Sequence, residues 1–227
     1  MSPRLSAIAL VMVGLFGLGG FSSMFADAGT SPPRCHGQEA TVVGTPGRDS
    51  YSDARDDDPM NGNVFVLLGG DDQLKLTETR GVIVCAGGGD DKVELYRSAG
   101  AELLDGGQGA DKLGDFDDPD FAVLAKLRIL GGPGDDIAIG GGAKDLIKAG
   151  PGDDGAFGFG SDDEIFGGSG DDLMKGYQNN DTLHGGSGDD RIFGDGYKYY
   201  DPAPNDRAIG GPGADRCEAE RKRSCER

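Results

Sequence analysis

A nine-residue cadence governs this chain. From Gly131 to Phe193 it reads GGPGDDIAI, GGGAKDLIK, AGPGDDGAF, GFGSDDEIF, GGSGDDLMK, GYQNNDTLH, GGSGDDRIF, seven contiguous blocks without insertion. The sixth position is always Asp: Asp136, Asp145, Asp154, Asp163, Asp172, Asp181 and Asp190. The eighth is always apolar or small: Ala138, Ile147, Ala156, Ile165, Met174, Leu183 and Ile192. A fixed repeat period decides fold before local propensity does. This one also places a carboxylate at every turn.

Degenerate copies lengthen the repeat unit. Blocks with Gly fourth and Asp sixth start at Gly44, Leu67, Ala86, Gly106, Gly131, Ala149, Gly167, Gly185 and Gly210, spaced by 23, 19, 20, 25, 18, 18, 18 and 25 residues. The unit is therefore about eighteen residues, a strong nonapeptide and a weaker one. The weak blocks GGGAKD, GFGSDD and GYQNND lack the fourth glycine. The extra residues fall in the weak halves, around Asp115–Phe121 and Tyr197–Ala203.

In each block six turn residues precede a short strand, taken as three residues. Alternation points position eight inward and its neighbours outward. Two blocks make one coil, and coils stack as parallel strands about 4.8 Å apart. The expected fold is all-β: a right-handed parallel β-roll, a two-sheet solenoid with strong turns on one edge and weak turns on the other. Inward residues of the strong half-turns are Tyr51, Leu74, Val93, Leu113, Ala138, Ala156, Met174, Ile192 and Cys217. Those of the weak half-turns are Phe65, Val84, Leu104, Ile129, Ile147, Ile165, Leu183 and Ala208.

Composition agrees with a narrow core and a turn-rich chain. There are 43 Gly, 11 Pro and no Trp in 227 residues, and the net charge is −18. Of 40 acidic residues only 8 are Glu, leaving 32 Asp, a bias toward turns and hard-cation ligands over helical faces. The charge argues against nucleic acid and anionic membrane as partners.

Residues 1–28 read as a secretory signal: Arg4, an apolar run from Ala7 to Phe21, and the small-x-small Ala26-Asp27-Ala28 before the cut. The expected layout is 1–28 signal, 29–43 leader, 44–218 roll and 219–227 tail, with a free, secreted, monomeric product that does not span a membrane. Cys35, Cys85, Cys217 and Cys225 allow three disulfide connectivities. We take Cys35–Cys85 and Cys217–Cys225, each stapling one end. Zinc is the rival, but the spacings fit no zinc pattern and the only histidines are His36 and His184.

The turn itself suggests a cation. Glycine permits the positive φ of a tight bend that converges carbonyls, and Asp adds a short, hard carboxylate. Six to eight such oxygens make a Ca²⁺ shell. The blocks resemble the RTX, or haemolysin-type, calcium-binding nonapeptide repeat GGxGxDxUx over roughly Gly44 to Glu218. The resemblance implies a β-roll binding several Ca²⁺ ions between stacked turns. It implies Asp49, Asp72, Asp91, Asp111, Asp136, Asp154, Asp172, Asp190 and Asp215 as ligands, with Gly106, Gly109, Gly131, Gly134, Gly152, Gly167, Gly170, Gly185 and Gly188 beside them. In the weak blocks Ala143, Ser161 and Asn179 replace the fourth glycine, so Asp145, Asp163 and Asp181 stay open as ligands. Unlike the toxins and proteases of that family, this chain has an N-terminal signal and four cysteines, and no catalytic domain precedes the roll.

A structural or interaction role is therefore expected, without catalysis. The Asp-Asp pairs recur at every turn, unlike a single acid/base site. The alternative is a small β-helical enzyme, or a glycan-binding adhesion module, acting on acidic polysaccharide. The enzyme would need clustered basic residues, whereas Arg128, Lys148, Lys175 and Arg191 are scattered. His184 points outward. The Tyr197-Lys198-Tyr199-Tyr200 insertion is the place to seek a cell-surface glycan or protein contact.

Overall fold

The computed structural model describes residues 31–52, 62–116, 124–195 and 205–225. The signal segment, most of the Asp53–Asn63 loop and the tyrosine insertion lie outside the described residues. Every regular element among those described is a strand. Among the described residues no helix is long and apolar enough to cross a membrane.

Two parallel sheets face each other across the solenoid, each coil giving one strand to each. Sheet I has nine strands, from Ser50–Ser52 to Arg216–Glu218. Sheet II has ten, from Val42–Val43 to Arg221–Arg223. Pairing thus begins two residues before Gly44 and continues past Glu218 into the tail, where Arg207–Ile209 pairs with Arg221–Arg223.

The inward columns match the repeat reading. In sheet I, Leu74, Val93, Leu113, Ala138, Ala156, Met174, Ile192 and Cys217 follow one another in register. In sheet II, Phe65, Val84, Leu104, Ile129, Ile147, Ile165, Leu183 and Ala208 do the same. All are buried, and Tyr51, on the first strand of sheet I, is half-buried.

The strands are longer than three residues. Ile137–Gly141 and Leu146–Pro151 run on into the first glycines of the next block, because that position also turns inward. It holds Gly140, Gly158, Gly167, Gly176 and Gly185, all buried, in the C-terminal coils. Toward the N-terminus the same inward place in sheet I holds Leu76 and Leu95, both fully buried. Val82 and Leu127 add further buried apolar groups at the weak turns. Each such side chain contributes about 1.5–3 kcal/mol of burial that a glycine cannot.

The ends are closed covalently. Cys35–Cys85 and Cys217–Cys225 are bonded, with Cα–Cα distances of 5.8 Å in both, and none of the four cysteines is free. The first bond clamps an antiparallel hairpin, Arg34–Cys35 with Gln38–Glu39, over Val64 and Val66 on the outer face of sheet II.

Candidate functional site

The sixth-position aspartates form one continuous buried ladder on the strong edge. The Oδ1 of each accepts the backbone N–H of the matching residue one coil earlier. Asp49 N–H donates to Asp72 (2.7 Å), Asp72 to Asp91 (2.8 Å), Asp91 to Asp111 (2.8 Å) and Asp111 to Asp136 (2.8 Å). The series continues through Asp154 (2.7 Å), Asp172 (2.9 Å), Asp190 (3.0 Å) and Asp215 (3.1 Å). This bond fixes each carboxylate inside the turn, and in the blocks that start with Gly106, Gly131, Gly167, Gly185 and Gly210 its other oxygen lies beneath that first glycine.

That second oxygen decides what the turn can do. The Oδ2 atoms of Asp72, Asp91, Asp111, Asp136, Asp154, Asp172, Asp190 and Asp215 are buried without a hydrogen-bond partner. A buried carboxylate oxygen in that state is costly unless a cation or a proton meets it. Protonation is the response when nothing else is present. Burial, countered in part by the backbone N–H, pushes Asp72, Asp91, Asp154 and Asp190 up to about 6, and Asp111, Asp136 and Asp172 up to about 7.

The glycines divide into two jobs. At the first position, Gly106, Gly131, Gly167 and Gly185 sit so tightly on Asp Oδ2 that an added Cβ would collide with it. The carbonyl of Gly131 is engaged by Gly107 N–H at 3.0 Å. At the fourth position, Gly109, Gly134, Gly152, Gly170 and Gly188 have φ of 124°, 141°, 145°, 122° and 130°. A Cβ added at any of them would collide with the fourth-position carbonyl of the preceding coil, so these carbonyls follow one another in a second column of oxygens.

The weak edge repeats this construction where the sequence left it open. Leu127 N–H donates to Asp145 at 2.6 Å, Asp145 to Asp163 at 2.8 Å, Asp163 to Asp181 at 2.8 Å and Asp181 to Asp206 at 2.8 Å. Asp206 lies beyond the tyrosine insertion yet lodges under Gly194, as a sixth-position Asp does. Glu220 ends the series by accepting Asp206 N–H at 3.0 Å. Asp145 and Asp163 also bury an Oδ2 without a hydrogen-bond partner, and burial raises them to about 7 and about 9. Where the fourth glycine is lost, a positive φ is kept at two of the three weak turns, though not at Ala143. Ser161 and Asn179 adopt φ of 72° and 76°, and Phe159 and Tyr177 at the second position adopt 77° and 82°. Such backbone costs roughly 1–2 kcal/mol per residue. Here the two rings stack at 4.6 Å.

N-terminal of Asp145 the weak edge is different. Its sixth-position column holds Leu127, Glu102 and Val82. Both Glu102 oxygens accept backbone N–H groups, from Gly81 at 3.0 Å and from Val82. Thr79 and Ser98 pair their buried hydroxyls at 2.8 Å.

Two further features escaped the sequence reading. Asp49 is not a buried acceptor like the rest: its carboxylate is taken by Thr45, through N–H at 2.6 Å and Oγ1 at 3.2 Å. And the fifth-position aspartates build an exposed ladder of opposite direction. Asp71 accepts from Asp90, Asp135 from Asp153, Asp153 from Asp171 and Asp171 from Asp189, at 2.8–3.1 Å. The doubled DD was the signal for it, and only the stacking shows its use: adjacent coils exchange carboxylate–amide bonds in both directions.

Other candidate chemistry is dispersed. Cys35, His36 and Cys85 gather three ligand-type atoms within 4.8 Å, but both sulfurs are in the disulfide and His36 Nε2 pairs with Asp105 Oδ2 at 2.7 Å. His184 lies on the outer face of sheet II, stacked on Phe166 at 4.8 Å. Arg128 joins Lys126 and Lys144 around a cavity of about 330 Å³. Lys148 lies over Phe166 elsewhere on sheet II, and Lys175 lies over Phe193 on sheet I.

Comparison with family models matches the RTX calcium-binding nonapeptide repeat in four copies, at residues 96–113, 128–156, 145–174 and 157–192. Within those segments the coils match RTX repeats. RTX nonapeptide repeats bind calcium, and the matched segments take in the strong-edge Asp111, Asp136, Asp154, Asp172 and Asp190 and the weak-edge Asp145, Asp163 and Asp181. No curated protein and no solved structure matches the chain.

Proposed function

We propose that this is an exported calcium-binding RTX protein, structural or interacting in role, whose coils are ordered by Ca²⁺. The observation that carries the reading is the set of buried Oδ2 atoms lacking a hydrogen-bond partner, repeated coil after coil on both edges. The residues that would hold the ions are Asp72, Asp91, Asp111, Asp136, Asp154, Asp172, Asp190 and Asp215 on the strong edge and Asp145 and Asp163 on the weak edge. The fourth-position carbonyls supply further oxygens. Asp49 is left out of this set because Thr45 already occupies it. The donors are oxygen only, which suits a hard cation.

Bound Ca²⁺ would supply the positive charge that lets stacked carboxylates stay ionised. The protein's own part is to fix one oxygen of each Asp by a backbone N–H and to exclude water with the glycine above it. Binding free energy is then folding free energy. Two formed disulfides suit an oxidising compartment and so support export. A non-catalytic role is supported by the repetition of the same carboxylate turn along the stack, with no turn singled out.

The test is far-ultraviolet circular dichroism with a parallel calorimetric titration. Strand signal should rise on adding millimolar Ca²⁺ and fall again with chelator. A spectrum indifferent to calcium, with no heat of binding, would refute the reading.

A further inference from the structure

The stack changes character along its axis. From Val64 to Leu113, Leu76 and Leu95 fill the second inward place in sheet I, and Val82 and Glu102 fill the weak-turn position six. No buried carboxylate oxygen lacks a partner on the weak edge of these described coils: Glu102 is doubly hydrogen-bonded. The Cys35–Cys85 bond ties the hairpin to this half. From Ile137 onward, glycines hold the second inward place in sheet I, and buried carboxylates line both edges.

We propose that the solenoid is two unlike halves: an N-terminal platform that stands without calcium, and a C-terminal half that calcium orders upon it. The proposal rests on the calcium reading above. Strong-edge Asp72, Asp91 and Asp111 belong to the platform, whose weak side buries only Glu102, held by two backbone N–H groups, and Asp115 beside the seam. In the platform the added burial of Leu76, Leu95 and Val82 offsets the strong-edge carboxylates, whereas the C-terminal coils have at most one sizeable inward group per half-turn, and only Ala138 and Ala156 in two of them, to set against carboxylates on both edges.

The seam falls between Leu113 and Ala138 in sheet I and between Ile129 and Ile147 in sheet II. There the platform presents ordered strand edges, Lys112–Asp115 and Leu124–Leu130, to the next coil. In a linear stack each coil is stabilised by its neighbours, so a preformed end removes the cost of starting the first calcium-bound coil. Calcium-driven ordering therefore proceeds from Asp136 and Asp145 toward the C-terminus.

Hydrogen exchange read by mass spectrometry, on the oxidised full-length chain in chelator and in millimolar Ca²⁺, tests this. Peptides covering 82–95 and 103–113 should be protected in both conditions. Peptides covering 138–147, 156–165 and 174–192 should exchange at least about tenfold more slowly only with calcium. Protection gained equally in both halves would overturn the division while leaving the calcium reading intact. No gain anywhere would overturn the calcium reading itself.

Discussion

The backbone N–H of Leu127 donates to Asp145 Oδ1 at 2.6 Å, and at that step the aspartate ladder of the weak edge begins. On the N-terminal side the column holds Glu102 and Val82. On the C-terminal side it holds Asp163, Asp181 and Asp206. Leu127 has no side-chain acceptor, so the carboxylate–amide ladder stops there, and further back only Glu102 accepts, from Gly81 and Val82 N–H. What changes is whether a buried oxygen is left for a cation.

Asp154→Asn and Asp163→Asn compare the two edges. Each keeps an acceptor for the ladder bond and removes the charge. Both should raise the calcium midpoint of folding and lower stability at saturating calcium by about 1–3 kcal/mol. Chelator-buffered titrations followed by circular dichroism measure the shift. A normal midpoint for the Asp163 variant beside a shifted one for Asp154 would mean that the weak edge takes no part.

Glycine clearance is testable within one turn type. An added Cβ at Gly167 would run into Asp172 Oδ2 and the carbonyl of Gly185 at 2.6 Å, whereas at Gly88 the nearest atom is the Gln108 carbonyl oxygen at 3.9 Å. Gly167→Ala should cost about 2 kcal/mol or more. Gly88→Ala should be neutral or slightly stabilising, since it restricts the unfolded chain. Thermal melts in calcium distinguish them, and equal losses would contradict the packing described.

The acid dependence should invert with calcium. In the metal-free fold burial raises Asp111, Asp136 and Asp172 to about 7 and Asp163 to about 9. A carboxyl raised on folding binds more protons in the folded than in the unfolded state. Metal-free stability is therefore fullest below about pH 4 and declines as pH rises through about 6–7. Calcium needs the ionised form, so its affinity climbs over the same range. Melts in chelator from pH 4.5 to 8.5 should show falling stability, and rising stability there would contradict the assignment.

The two disulfides should differ in weight. They close loops of 50 and 8 residues. Loop entropy gives about 4 kcal/mol for Cys35–Cys85 and about 2.5 kcal/mol for Cys217–Cys225. Removing each pair as Ser and comparing unfolding in denaturant at fixed calcium gives the order. A larger loss from the C-terminal pair would show that closing the last coil matters beyond chain entropy.

The sequence by itself determined the repeat, the two parallel sheets, the strong-edge aspartates and the inward columns from Leu74 to Cys217 and from Phe65 to Ala208. These follow from period and alternation, which need no knowledge of neighbours in space. Only the tertiary structure decided how the edges are used. Ser161 and Asn179 look like the loss of a turn when positive φ is read from glycine alone, yet the stacked coils impose that backbone on them. Asp206 joins the weak ladder across an insertion, because parallel register follows hydrogen bonds and not residue count. Asp49 matches the motif but is taken by Thr45, a contact no spacing rule contains. Leu76, Leu95, Glu102 and Leu127 acquire meaning only when aligned with the glycines and aspartates of later coils, since stability in a stack is set by what each residue covers one coil away.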